Sequence, residues 1–174
     1  MQHAHQKAVL HRDIKPSNLL VRMQDGRPAP KIIDFGIAKA LCEPLTTRPL
    51  QTEYGTIVGT PEYMSPEQVR GCEAEADVRA DVYALGMILY ELLSGRRPYD
   101  LFGAALAEAV RVICEQPPRS LTQSWSGTRR LDADVETIVV KALEKDPERR
   151  YASVAALSDD VDRYLTSQPI LARA

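Results

Sequence analysis

Only three of the 174 residues are cysteine, Cys42, Cys72 and Cys114, and no two of them form a C-x-x-C pair. An odd count without a framework excludes the disulfide scaffold of a small secreted domain and fits a reducing cytosol. The thiols read as buried or idle side chains rather than a metal or redox site. Long hydrophobic runs are missing as well. The longest apolar stretch, Val82 to Leu93, contains Glu91 and is too short to span a bilayer. The segment Met1 to Lys7 has no apolar core, so it does not read as a signal peptide. Neither sign of charge dominates, with 22 basic against 24 acidic side chains. That balance argues against a dedicated nucleic-acid or anionic-membrane surface, which needs clustered Lys and Arg. None of the nine glycines follows G-x-G-x-x-G spacing or a collagen period. There is no internal repeat and no low-complexity tract.

What remains is a chain with 44% hydrophobic residues, enough to bury on the order of 70% of its unfolded surface in one core. Residues 1–8 read as the last turns of a helix. Leu19-Leu20-Val21 and Lys31-Ile32-Ile33 are β-type runs flanking Asp25-Gly26 and two prolines, which predicts a hairpin. From Asp34 to Pro66 the chain is rich in Thr, Gly and Pro, and loops of that length in compact domains are usually functional. Helical periodicity then sets in. Ala80 to Ser94 is apolar nearly all round and closes at Gly95. Ala104 to Glu115 stops before Pro117-Pro118, and residues 116–130 read as a polar connector. Ala133 to Leu143 carries Val135, Ile138, Val139 and Leu143 on one stripe. Ser153 is placed to cap a last helix with Val154, Leu157, Val161 and Leu165 on one face. The fold class is mainly α with a short β-hairpin (α+β).

The chemistry concentrates in His11-Arg12-Asp13-Ile14-Lys15-Pro16-Ser17-Asn18, followed sixteen residues after the Asn by Asp34-Phe35-Gly36. The hairpin brings Asn18 and Asp34 close together. One carboxylate and one amide suit Mg²⁺, which is usually held by few protein groups plus substrate phosphates. Asp13 is then placed to orient a hydroxyl nucleophile, and Lys15 can sit against a transferring phosphoryl group.

H-R-D-x-x-x-x-N followed by D-F-G resembles the catalytic and metal-binding loops of the eukaryotic-type (Hanks-type) protein kinases, in a bacterial-like form. The resemblance implies Asp13 as catalytic base, Asn18 and Asp34 as ligands of Mg²⁺ (or Mn²⁺), and Lys15 as a contact of the ATP γ-phosphate. A lysine two residues after the catalytic Asp is similar to the serine/threonine-specific branch. His11 reads as a packed structural histidine. Gly59-Thr60-Pro61-Glu62-Tyr63-Met64-Ser65-Pro66-Glu67 resembles the end of an activation segment, with Ser65 in place of the usual Ala. Thr60 would then sit near Asp13 and Lys15 and help seat the acceptor hydroxyl. Asp81 would brace the backbone of the catalytic loop from the central helix. Arg150, in Asp146-Pro147-Glu148-Arg149-Arg150, should pair with Glu67. Thr46, Thr47, Thr52 and Thr56 are candidate phosphorylation sites in the activation loop, with Arg12 as the cation for an added phosphate.

The same resemblance calls for parts not found before His11: a glycine-rich loop over the ATP phosphates and a strand lysine. It therefore implies the C-terminal lobe alone, over residues 1–165, with 166–174 as a tail and the N-terminal lobe absent. Two functions follow. One is a serine/threonine kinase fragment that transfers the ATP γ-phosphate to Ser or Thr hydroxyls of protein substrates. The alternative is a catalytically inactive binding module of the same fold. The chain is expected in the cytoplasm, with any membrane anchor of a longer parent outside this segment. Leu20 and Phe35 would normally lie under adenine and the smaller lobe, and if bare they predict poor solubility.

Overall fold

The computed structural model describes residues 1–35, 61–71, 77–125, 127–128 and 130–173. Gly36, Thr46, Thr47, Thr52, Thr56 and Thr60 lie outside the described residues, as do Cys42 and Cys72.

The described residues are mostly helical, with one two-stranded antiparallel sheet. A short helix α1 (Gln2–His5) leads into the loop of residues 9–15 and a 3₁₀ turn, Pro16–Asn18. Strands β1 (Leu19–Gln24) and β2 (Arg27–Ile32) pair from Leu19 opposite Ile32 to Gln24 opposite Arg27. Asp25 and Gly26 both take positive φ, 51° and 73°, as a two-residue hairpin turn of this hand requires. The prolines that the sequence placed between the strands lie within β2. The Ile33 N–H donates to the Asn18 carbonyl at 3.0 Å, so odd-numbered β2 residues face the partner and Pro28 and Pro30 face away. Neither proline costs the ladder a bond at those positions.

The helical remainder comprises α2 (Pro66–Val69), α3 (Val78–Ser94), α4 (Leu106–Glu115), α5 (Leu121–Ser124), α6 (Ala133–Ala142) and α7 (Val154–Leu165). Asp77 caps α3 by accepting the Arg79 N–H at 2.7 Å, and Gly95 closes it in the left-handed conformation, φ 68°. This helix is the axis of the core. Tyr83, Met87 and Tyr90 pack with Val112, Leu121, Val139 and Leu143 on one side, while Val82 packs with Ile138, Ala142, Tyr151, Leu157 and Ile170 on another. Leu121 explains why residues 116–130 are not simply a polar connector: one turn of helix, α5, buries it. Ser153 accepts the Ala156 N–H and starts α7, but Leu165, at the helix end, is 70% exposed and drops off the predicted stripe. Residues beyond α7 are docked rather than trailing. Ile170 is buried, and the Asp160 carboxylate accepts the Leu171 and Ala172 N–H groups at 2.6 and 2.8 Å.

Gly86 sets the α3–α6 distance. A Cβ there would lie 2.8 Å from Ala142 Cβ and 3.2 Å from Leu143 Cδ2. Overpacking a core typically costs 1–3 kcal/mol, against about 1 kcal/mol gained from alanine's helix propensity. Gly86→Ala is therefore expected to destabilise by ~1–2 kcal/mol. A thermal unfolding midpoint at or above that of the parent would contradict it.

Candidate functional site

The loop of residues 9–15 is held from beneath by Asp81, whose side chain is buried in the first turns of α3. Its two oxygens accept the His11 and Arg12 N–H groups, each at 2.9 Å. A third contact reaches the same carboxylate: His5 Nε2 lies 2.7 Å from Oδ2, with both side chains almost fully buried. Against a carboxylate, that nitrogen must be the donor. His5 Nδ1 is buried without a partner among the described residues.

His11 is fully buried, with its ring 4.8 Å from that of Phe35. Its Nε2 lies 3.0 Å from the Ile33 carbonyl and so carries the proton, while Nδ1 accepts the Asp13 N–H at 3.3 Å. Both ring nitrogens are occupied by backbone groups, which leaves none for proton transfer. Lys15 Nζ donates to Asp13 Oδ2 at 2.8 Å. Both side chains reach solvent, at 22% exposure for Asp13 and 30% for Lys15.

Asn18 is buried, and its Nδ2 donates to the Asp13 carbonyl at 2.8 Å. That bond fixes the amide and leaves Oδ1 as the side chain's acceptor atom. Asp34 follows Ile33, the residue whose N–H bonds Asn18, so the hairpin register joins the two loops. An exposed carboxylate and a fixed amide oxygen are the hard donors that a magnesium ion takes when phosphate and water complete its shell. No group of three or more His, Cys, Asp or Glu side chains able to hold a metal occurs among the described residues. Arg12 and Asp34 both carry positive φ, 63° and 61°. Such backbone in residues other than glycine costs roughly 1–3 kcal/mol and persists only where its surroundings enforce it. Phe35 is half-buried against His11, while Leu20 is 53% exposed. The exposed apolar side chains of β1 are Leu20 on one face of the sheet and Val21 and Met23 on the other, while Phe35 keeps part of its surface in solvent.

Below the loop, Glu67 on α2 meets Arg150 in a two-pronged pair, Nη1 to Oε1 and Nη2 to Oε2, each 2.7 Å. Both side chains are buried. Arg150 also donates to the Glu144, Lys145 and Arg79 carbonyls, and its guanidinium stacks 5.0 Å over Tyr83. Burial alone pushes the Glu67 carboxyl up, but the bonds and charge of Arg150 outweigh that and hold it below its ordinary value. Beside this pair, Lys145 Nζ donates to Tyr99 Oη and to the Ile113 carbonyl at 2.7 and 2.5 Å, and burial lowers its ammonium to about 8.

Three contributors escaped sequence reasoning: His5, Gln68 and Lys145. Gln68 Nε2 donates to the Arg12 carbonyl at 2.9 Å across 56 positions of sequence. Only Gln68 had a local sequence signal, as the third residue after Ser65 at the start of a helix.

Residues 1–161 match the family described as "Protein kinase domain". The chain is 44% identical over 157 residues to "Serine/threonine-protein kinase Pkn1" of Myxococcus xanthus, covering 90% of this chain and 21% of that protein. It is 36% identical over 167 residues to "Serine/threonine-protein kinase PknB" of Mycobacterium leprae, covering 95% of this chain and 24% of that protein. A "Probable serine/threonine-protein kinase CE0033" of Corynebacterium efficiens is 36% identical over 176 aligned residues, covering 100% of this chain and 25% of its own length. The chain thus spans between 21% and 25% of the length of these relatives.

Proposed function

This chain belongs to the protein kinase family, and from that premise we propose that it forms the C-terminal lobe of a serine/threonine kinase. The reaction is transfer of the ATP γ-phosphoryl group to a Ser or Thr hydroxyl of a protein. One observation carries the reading. The Asn18 amide is pinned to the Asp13 carbonyl, and the hairpin register delivers Asp34 next to Asn18's bonded partner. In this reading the base and the metal ligands would share one backbone unit.

In this reading, the Asp13 carboxylate orients the acceptor hydroxyl and takes its proton as the oxygen bonds to phosphorus and the bond to ADP breaks. Lys15, already bonded to Asp13, places a cation beside the phosphoryl group in transit. Asn18 and Asp34 would hold Mg²⁺, which supplies neutralisation of phosphate charge when bound. Leu20 offers an apolar surface to adenine, and Thr60 helps to seat the acceptor. ATP and a free buried thiol, Cys114, suit a cytoplasmic site.

The test is transfer of label from γ-labelled Mg·ATP to dephosphorylated casein by the natural polypeptide that carries these residues. Label on serine or threonine is expected. Absence of both transfer and Mg·ATP binding would overturn the reading in favour of the non-catalytic module. Arg12 is the cation we assign to a phosphate on Thr46, Thr47, Thr52 or Thr56. Phosphopeptide mapping of fully active protein should find at least one of the four modified; a wholly unmodified loop would refute this.

A further inference from the structure

We propose that Gln68 is a positioning residue for the catalytic loop, oriented by Ser65 and holding the Arg12 carbonyl so that the Asp13 carboxylate keeps its place. The inference rests on the reading of Asp13 given above, and it goes beyond it by assigning a task to two residues of α2's first turn.

Ser65 is fully buried at the start of α2. Its N–H and its hydroxyl both donate to Gln68 Oε1, at 3.1 and 3.2 Å. With its oxygen committed twice, the amide has one orientation, and its Nε2 points at the Arg12 carbonyl, 2.9 Å away. The Arg12 N–H is already taken by Asp81 at 2.9 Å. Arg12 is therefore clamped on both sides, by α3 through its N–H and by α2 through its carbonyl. It is also the residue of this loop in the left-handed region, φ 63°, and it immediately precedes Asp13. A strained residue holds its conformation only where neighbours enforce it, and among the described residues the Asp81 carboxylate and the Gln68 amide do so. The serine that replaces the usual alanine ahead of Pro66 acquires a purpose, since its hydroxyl is the second donor that fixes the amide.

Helix capping does not account for this geometry. A capping box needs only a side-chain oxygen at position 68 to accept the Ser65 N–H, and glutamate serves as well as glutamine. The Nε2 bond to a carbonyl 56 residues earlier lies outside that requirement.

Gln68→Glu separates the two roles, because it keeps the acceptor for Ser65 and replaces the donor to Arg12 with an oxygen. The variants are made in the natural polypeptide and assayed with Mg·ATP and casein. Gln68→Glu and Gln68→Ala are each expected to lower kcat by about tenfold or more, with KM for ATP within twofold. Ser65→Ala alone should lower kcat two- to fivefold and add nothing on the Gln68→Ala background. Amide exchange at residues 11–15 should quicken in both Gln68 variants while α3 exchanges as in the parent. A Gln68→Glu enzyme with parental kcat, additive Ser65 and Gln68 effects, or unchanged exchange at residues 11–15 would overturn the proposal. If the parent itself transfers no phosphate, the catalytic reading fails, and the exchange measurement still decides the clamp.

Discussion

Replacing Asp13 by asparagine is expected to lower the rate of phosphoryl transfer about 10²–10⁴-fold with the fold intact, the range that a positioned general base contributes. The substitution is nearly isosteric. The amide oxygen can still accept from Lys15, which bonds Asp13 Oδ2 at 2.8 Å, so local packing survives. What disappears is the ability to take a proton and the negative charge that orients an acceptor hydroxyl. Because Asn18 bonds the Asp13 backbone carbonyl rather than its side chain, Asp13→Asn leaves the Asn18 amide in place, and Mg·ATP affinity should change less than threefold. Single-turnover quench experiments with bound Mg·ATP read the chemical step directly. Retention of more than a tenth of the parental rate would remove Asp13 from the role of base.

The second large effect is on stability. Arg150→Met should destabilise the protein by about 3–5 kcal/mol, the cost of stranding the other member of a buried pair. Glu67 would lose both of its arginine bonds, and the Glu144, Lys145 and Arg79 carbonyls would each lose a donor. Pairing Glu67→Met with Arg150→Met should recover much of the loss, since burying two apolar side chains is cheaper than burying one unpaired charge. The pH dependence supplies a second signature. In the parent, the Glu67 carboxyl sits below its ordinary value, so its stabilising contribution is present above that value and is lost as pH falls. Without Arg150, burial raises the carboxyl instead, and the folded variant binds a proton more readily than the unfolded chain. The gap between parent and Arg150→Met should therefore narrow as pH falls from 7 towards about 4. Urea midpoints across that range measure it, and a constant gap would show that the pair is not the source of the loss.

The sequence carried some features of this architecture better than others, for physical reasons. Local signals sufficed for α3, because Gly95 ends it and its apolar residues recur at helical spacing, and for the hairpin, because Asp25-Gly26 demands positive φ. They failed at β2, where prolines read as breakers until the register showed them facing outward, and at Leu121, where one buried side chain has no period to reveal it. Residues 11–18 stood out because their types and spacing are chemical. His5 did not, since it acts through one long-range hydrogen bond that leaves no trace in neighbouring residues, and for Gln68 the local pattern signals a helix start but not the bond to Arg12.

The outward prolines of β2 have a further effect, on association. A strand added to a sheet edge needs an alternating row of N–H donors and carbonyl acceptors. On the side of β2 away from β1, which is unpaired among the described residues, Pro28 and Pro30 supply no donor at two successive outward positions, so that edge is a poor template for a partner. The hairpin is more readily extended along β1, where the exposed Leu20, Val21 and Met23 reside. Growth of this sheet, whether by proper assembly or by aggregation, is thereby directed to one edge.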